Sequence, residues 1–301
     1  MIYKSFLRIK CLGNKKTFME IDSVKNIKAE INYKNLLWFY IASVSLLVSG
    51  FIISYNQPLS TLFTLIWCII SGLFLIYRFN DYVDQDVELR FNIYHFLYLP
   101  LNLIMFLQLI FITIPITVYL IEKETLYVLS LSSVLGFLYS VNFQFNNRSF
   151  KLKNVFFVKN ALIGIVWGSL VLIGSNNIFQ TNIIPLFLYA SIQVFIGGVI
   201  RDIPDLKKDK SNNVKSFPVV LGTNFTINIL HLINFMSIIL IFFNYNNLLI
   251  FTVFLIPFIW RSCNLLLLNS LSNNLTITEW MNLFTCVLIL ISTIISAYFI
   301  K

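Results

Sequence analysis

The fold is decided by residues 182–209, which read NIIPLFLYASIQVFIGGVIRDIPDLKKD. A helix needs about 20 mostly apolar residues to cross the hydrocarbon core of a bilayer, and residues 182–200 carry no charged side chain. Charge returns at Arg201 and is followed at once by three acids, Asp202, Asp205 and Asp209. We therefore predict a transmembrane helix that ends in an acidic segment at one membrane surface.

The composition of the whole chain agrees with a membrane location. Of its 301 residues, 58% are hydrophobic and only 12% are charged, whereas a soluble domain is close to half apolar and a quarter charged. This is too little polar surface to cover a water-soluble globule, so most of the exterior must face lipid. The composition excludes an ordinary soluble enzyme or binding module.

Nine apolar stretches reach or approach the length of a membrane-spanning helix. They lie at residues 36–54, 59–77, 96–121, 125–143, 154–174, 182–200, 225–243, 247–268 and 281–300. We therefore expect an all-α fold, a polytopic membrane helical bundle with nine transmembrane helices in one domain over residues 35–301. The lysine-rich arm before it, residues 1–34, is expected to be either an amphipathic segment on the inner leaflet or a disordered tail.

The distribution of basic residues predicts the orientation. With the N-terminus in the cytoplasm, 20 of the 22 Lys and Arg residues fall on the cytoplasmic side, Arg261 among them, and only Lys123 and Lys301 fall outside. Such a bias is the usual positive-inside signal of an integral membrane protein. The net charge of +9 therefore indicates topology and attraction to anionic lipid, and we expect no nucleic-acid partner.

The acids are concentrated in two short windows, each directly after an apolar stretch and each on the expected cytoplasmic side. Asp202, Asp205 and Asp209 have the spacing i, i+3 and i+7, which places side chains on one face of a helix. The other window, residues 80–88, repeats this spacing at Asp81, Asp84 and Glu88, and it also contains Asn80 and Asp86.

Carboxylates stacked in this way repel one another unless a cation neutralises them. Oxygen ligands without His or Cys favour a hard ion, and Mg²⁺ is usually completed by substrate phosphates. The alternative is that these are solvated acids at helix ends. Two clusters with one spacing, on one face of the membrane, favour Mg²⁺ binding over solvated acids.

These motifs resemble those of the UbiA-type intramembrane prenyltransferases. That family carries N-D-x-x-D-x-x-x-D after its second helix and D-x-x-D-x-x-x-D after its sixth; this chain has NDYVDQDVE at 80–88 and DIPDLKKD at 202–209. The second motif continues into VKSFPVVLG at 214–222, and Leu138-Tyr139-Ser140 ends the fourth apolar stretch. The resemblance covers residues from about 36 to 301, and the segment Arg201–Gly222 is most similar to the homogentisate prenyltransferase branch.

The resemblance implies a Mg²⁺-dependent transferase that moves a prenyl group from a polyprenyl diphosphate to an aromatic or lipophilic acceptor. It implies that the metal ligands are Asn80, Asp81, Asp84, Glu88, Asp202, Asp205 and Asp209. It also implies catalytic roles for Asp84 and Asp202, with Tyr139 near the reacting centre. The bases expected to bind diphosphate are Arg148, Lys153, Lys159 and Lys215.

Two departures from the family pattern concern the region expected to bind the acceptor. The Arg-Pro segment that often follows the first motif is missing, because Phe91 follows Arg90. The spacing from Tyr139-Ser140 to Lys151-Leu152-Lys153 is longer than usual. An intramembrane terpene cyclase of the same superfamily therefore remains an alternative. A cation or solute transporter is disfavoured, since its charges would be expected near the bilayer midplane.

Overall fold

The computed structural model describes residues 38–54, 57–85, 121–145, 148–177, 183–211, 214–245, 247–271 and 275–300. All elements below lie in the unit Tyr40–Lys301, apart from the first two residues of α1. The expected boundary between an arm and a membrane domain near residue 35 lies outside the described residues and stays a prediction.

In the described part of the chain, the long apolar stretches form helices, because a helix satisfies its own backbone hydrogen bonds in lipid. The ten described α-helices are α1 Trp38–Ser54, α2 Leu59–Gln85, α3 Lys123–Ser140, α4 Val158–Ser175, α5 Ile183–Asp202, α6 Leu206–Ser211, α7 Phe217–Leu221, α8 Thr223–Tyr245, α9 Leu248–Leu271 and α10 Leu275–Ile300.

Five of these helices, α4, α5, α8, α9 and the Ile277–Tyr298 part of α10, are long and apolar enough to cross a membrane. Two shorter apolar helices, Trp38–Ser54 and Leu59–Leu73, coincide with the first two expected spans. The third expected span, 96–121, lies almost wholly outside the described residues, and α3 is not among the five. An all-helical membrane bundle is confirmed, while the count of nine spans stays a prediction.

A small β-hairpin interrupts the helices where the fourth span was expected to continue to residue 143. Helix α3 ends at Ser140, and strands β1 Asn142–Phe145 and β2 Arg148–Lys151 pair antiparallel, with Phe143 opposite Phe150. The sequence Asn-Phe-Gln-Phe alternates polar and apolar residues, a period that favours a strand over a helix. A one-turn 3-10 helix, Leu152–Asn154, then leads into α4.

Helices α4 and α5 approach each other closely because glycines lie at their crossing. A Cβ atom on Gly164 would lie 2.7 Å from the Ser191 carbonyl oxygen, and one on Gly168 would lie 2.8 Å from the Ser191 Cα. Small residues at such a crossing allow the backbones to pack in a membrane protein. The two helices therefore hold their side chains in fixed register, which decides the site described below.

A buried polar network ties α5 to three later helices. The Arg261 guanidinium is 1% exposed, and it donates from Nε to Gln193 Oε1 at 3.3 Å and from Nη1 to Asn282 Oδ1 at 2.7 Å. Gln193 in turn donates to Asn234 Oδ1 at 2.8 Å. Buried polar groups need such partners, so the network fixes the position of α5 in the bundle.

Arg261, counted above among the bases of the cytoplasmic side, lies inside the helical bundle. Its side chain is buried inside the bundle, in the interior of α9, where it hydrogen-bonds to α5 and α10. A basic residue counts toward orientation only in a short loop or near the end of a span. Without Arg261 the bias is still nineteen to two, and the orientation stays a prediction.

Candidate active site

The second acidic motif lies where α5 ends. The helix stops at Asp202, the next three residues form turns, and α6 begins at Leu206. Pro204 lacks an N–H and cannot continue a helical hydrogen-bond ladder. Tight turns keep the chain rotating nearly as a helix would, with Ile203 N donating to Ile200 O at 3.2 Å and Leu206 N to Ile203 O at 3.3 Å. Residues seven apart can therefore still face the same way.

The side chains of Asp202 and Asp209 both lie near the ammonium group of Lys159. The Lys159 Nζ lies 2.6 Å from Asp202 Oδ1 and 3.9 Å from Asp209 Oδ2. Asn160 donates from Nδ2 to the other Asp202 oxygen, Oδ2, at 2.9 Å. The first turn of α4 thus supplies a partner to each oxygen of the Asp202 carboxylate.

The two carboxylates are buried, which makes their charge chemically significant. Asp202 is 4% exposed and Asp209 is 9% exposed. Asp209 Oδ2 has no hydrogen-bond partner, although the Lys159 ammonium is near. Buried anions require a cation or strong donors to offset their loss of hydration.

This arrangement fits a hard divalent cation. It offers carboxylate oxygens, one of them without a hydrogen bond, and Mg²⁺ is usually bound by one or two carboxylates and completed by water and phosphate. Within the described parts of the chain, no three His, Cys, Asp or Glu side chains converge, so no all-protein metal cage is found there. The donor set suits an ion that shares its coordination with a substrate.

The third acid of the motif, Asp205, faces a different neighbourhood. It is close enough to Glu279 of α10 for their charges to repel. Glu279 also pairs with Arg201, its Oε1 lying 3.2 Å from Arg201 Nη2, and its residue is 8% exposed. The end of α5 is therefore flanked by acid-base pairs on both sides, one from α4 and one from α10.

The segment that follows the motif packs beside the start of α4. Lys215 N donates to Asn154 O at 3.3 Å, which places the backbones of residues 214–216 and 152–154 side by side. Phe217 at the start of α7 is buried, its ring 4.8 Å from that of Phe156 and 5.6 Å from that of Phe195. The apolar part of VKSFPVVLG is therefore a packing element that anchors the loop.

Gly222 closes α7 with a backbone φ of 79°. A left-handed φ of this kind strains residues with a Cβ and favours glycine. The Gly222 N–H donates to Pro218 O at 3.2 Å, and α8 begins at the next residue. The glycine thus lets the chain leave the site and enter the next membrane helix.

The first motif is only partly within the described residues. Helix α2 runs to Gln85 and therefore carries Asn80, Asp81 and Asp84 on helical backbone, as their spacing predicts. Their side chains and the whole of Glu88 lie outside the described part of the chain.

The remaining predicted residues are near the hairpin, except for one. Tyr139 is the penultimate residue of α3 and is half-buried; Arg148 begins β2; Lys153 lies in the 3-10 helix. Lys215 is exposed, and its backbone N–H donates to Asn154 O in this region. Among the four bases expected to bind diphosphate, the Lys159 side chain contacts Asp202 and lies near Asp209.

Two site residues were not found from the sequence. Asn160 could have been noticed, because it is a polar residue at the start of an apolar stretch beside Lys159. Glu279 lies 70 positions or more from either motif, and only the packing of α10 brings it to Arg201. No local pattern in the sequence indicates that contact.

The fold and the site together define a class, a polytopic helical membrane protein with a buried acidic site at the end of one of its helices. Residues 36–288 match the UbiA prenyltransferase family, so the chain belongs to that family. No curated protein is significantly similar to the chain in sequence.

Three solved structures share the fold. A digeranylgeranylglyceryl phosphate synthase structure is 17% identical with a TM-score of 0.59, over 88% of this chain and 98% of that one. An apo UbiA homolog from Aeropyrum pernix K1 is 16% identical with a TM-score of 0.60, over 86% and 98%. A UbiA homolog from Archaeoglobus fulgidus bound to DMAPP and Mg²⁺ is 15% identical with a TM-score of 0.60, over 87% of this chain and 96% of that one.

Proposed function

We propose that this protein transfers a prenyl group from a polyprenyl diphosphate to an aromatic or lipophilic acceptor within the membrane, in a reaction that needs Mg²⁺. The observation that carries this is the buried pair Asp202 and Asp209, held around one ammonium at the end of α5. A family relative that binds DMAPP and Mg²⁺ supports the same reading.

In this function the metal ions, when bound, supply Lewis-acid stabilisation of the charge that develops on the departing diphosphate. The chain's own residues hold the metal and orient the diphosphate. The proposed metal ligands are Asn80, Asp81, Asp84, Glu88, Asp202, Asp205 and Asp209. The bases proposed to bind diphosphate oxygens are Arg148, Lys153, Lys159 and Lys215.

Tyr139 is proposed to lie near the reacting carbon. Its ring would present a π face to the cationic allyl group that forms as the C–O bond breaks, an arrangement that stabilises cations. The prenyl tail would lie between helices and enter from the bilayer, and both acidic clusters would face the cytoplasm. The similarity of Arg201–Gly222 to the homogentisate branch makes an aromatic acid of that type the first acceptor to test.

The test uses the full chain in lipid nanodiscs with a labelled prenyl diphosphate, Mg²⁺ and candidate acceptors. We expect release of inorganic diphosphate together with a prenylated acceptor. Asp202→Asn should lower the rate by roughly 100-fold or more, since it removes charge stabilisation in a water-poor site. The control is Glu122→Gln, an exposed acid outside the site, which should keep full activity.

Two outcomes would contradict the proposal. Turnover that survives complete removal of Mg²⁺ by chelation would exclude the metal-dependent mechanism. A cyclic hydrocarbon or alcohol formed without any acceptor would instead identify the protein as a terpene cyclase.

A further inference from the structure

Lys159 occupies the position between two acids that a metal ion would need. Its Nζ contacts Asp202 Oδ1 at 2.6 Å and approaches Asp209 Oδ2 at 3.9 Å, and its side chain is 18% exposed. The second Asp202 oxygen already accepts a hydrogen bond from Asn160. A cation that binds both carboxylates must therefore displace the ammonium or share Asp202 Oδ1 with it.

We propose that Lys159 is an exchangeable counter-ion. It neutralises Asp202 and Asp209 while the site holds no substrate, and it moves to a diphosphate oxygen when metal and diphosphate bind together. This role rests on the proposed function, in which the same acids bind Mg²⁺ for a diphosphate substrate. No covalent bond changes; one ammonium exchanges one anionic partner for another.

The chemistry of the two α4 side chains suits them to different tasks. A Lys ammonium carries three donors on a flexible four-carbon stem, so it can be relocated without moving the helix. The Asn160 amide is 1% exposed and packs against Gly198, where a Cβ would lie 3.0 Å from Asn160 Oδ1. Asn160 therefore stays with Asp202 Oδ2, while Lys159, partly exposed, has room to leave Oδ1.

The need for a cation explains why the exchange is coupled to substrate. Two buried carboxylates that face one site are strongly destabilised if nothing neutralises them. Metal alone must compete with Lys159 for Asp202 Oδ1, and the displaced ammonium is stabilised by a new anionic partner. Diphosphate provides that anion, so metal and diphosphate each favour the binding of the other.

The experiment measures Mn²⁺ binding to the purified full chain by electron paramagnetic resonance, with no prenyl substrate present. Mn²⁺ uses the same oxygen ligands as Mg²⁺, and its unpaired electrons give a paramagnetic resonance signal. The parent carries Asp84→Asn, which removes a proposed ligand of the first cluster. Affinity is measured with and without inorganic diphosphate, and the variant is Lys159→Gln, which removes the positive charge and keeps a polar N–H donor.

In the parent, inorganic diphosphate should tighten Mn²⁺ binding by about tenfold or more, within the usual range of coupling between two ligands. In Lys159→Gln, Mn²⁺ alone should bind about tenfold tighter than in the parent, and diphosphate should add less than about threefold. Lys208→Gln, an exposed lysine on α6, is the matched control for loss of one positive charge and should behave as the parent does.

The role of Lys159 is overturned if Lys159→Gln binds Mn²⁺ no more tightly than the parent in the absence of diphosphate. Lys159→Arg, which keeps the cation, should retain the parent's weak binding, and tight binding there would also overturn it. Asp202→Asn in the same background distinguishes a failure of the Lys159 proposal from a failure of the proposed metal site. If it leaves Mn²⁺ binding unchanged, the metal site of the proposed function is wrong, whatever Lys159 does.

Discussion

At the scale of single residues, Asn160 is the side chain whose contribution is most sharply defined. Its Nδ2 donates to Asp202 Oδ2 at 2.9 Å inside the bundle. Replacing it with Leu keeps the size and removes the donor, which leaves a buried carboxylate oxygen without a partner. We expect Asn160→Leu to cost about 1.5–3 kcal/mol in stability and to lower prenyl transfer by about tenfold or more.

Thermal unfolding in detergent and product formation from a labelled prenyl diphosphate would measure both effects. The control is Asn224→Leu, an exposed asparagine in the first turn of α8. Equal behaviour of the two variants would mean that the Asn160 hydrogen bond contributes nothing to the site.

The sequence indicated which residue types form the site but not how they pair. The i, i+3, i+7 spacing correctly placed Asp202 and Asp209 on a common side, because the turn at Pro204 preserves the helical rotation. Lys159 was expected to bind diphosphate, yet its partner in the structure is an acid 43 residues away. That pairing depends on the crossing of α4 and α5, which no local pattern encodes.

At the scale of elements, that crossing is therefore the part of the fold on which the site depends most. Gly168 lies against the Ser191 backbone, and a Cβ there would lie 2.8 Å from the Ser191 Cα. Because backbone atoms cannot move aside as a flexible side chain can, Gly168→Ala should push the helices apart. We expect a loss of about 1–3 kcal/mol in stability and a clear drop in activity, since Lys159 and Asp202 lie on the separated helices.

The matched control is Gly72→Ala on α2, where no described atom lies within 4 Å of the position of a Cβ. Alanine has the higher helix propensity, so this change should leave the unfolding temperature equal or slightly raised. If Gly168→Ala unfolds at the same temperature as the wild type, the inference that the crossing of α4 and α5 requires glycine at position 168 is wrong.

The elements themselves followed from the sequence to different degrees. The bounds of α5, α8 and α9 agree with the apolar stretches to within a few residues, because continuous apolar sequence leaves a membrane chain few alternatives to a helix. The hairpin at Asn142–Lys151 was missed, since a four-residue alternation is easily absorbed into the apolar stretch before it. The pairing of the two short strands in the structure is what identifies the hairpin.

At the scale of the whole molecule, the topology depends on how often the chain crosses the membrane between Lys123 and Lys208. Both side chains are exposed, and three long helices, α3, α4 and α5, lie between them. If all three cross, the two lysines lie on opposite sides, and the positive-inside bias places Lys208 in the cytoplasm. If α3 does not cross, they lie on the same side and the count of nine spans fails.

Single cysteines decide between these two topologies. Cys11, Cys68, Cys263 and Cys286 are first replaced by Ala, and a cysteine is then introduced at one of the two positions. In intact spheroplasts, a membrane-impermeant maleimide should label Lys123→Cys, whereas Lys208→Cys should react only after the membrane is opened. Because Lys208 lies on α6 beside Asp209, its protection would also place the acidic site on the cytoplasmic face. Labelling of Lys208→Cys in intact spheroplasts would reverse that placement, and equal protection of both positions would remove α3 from the spans.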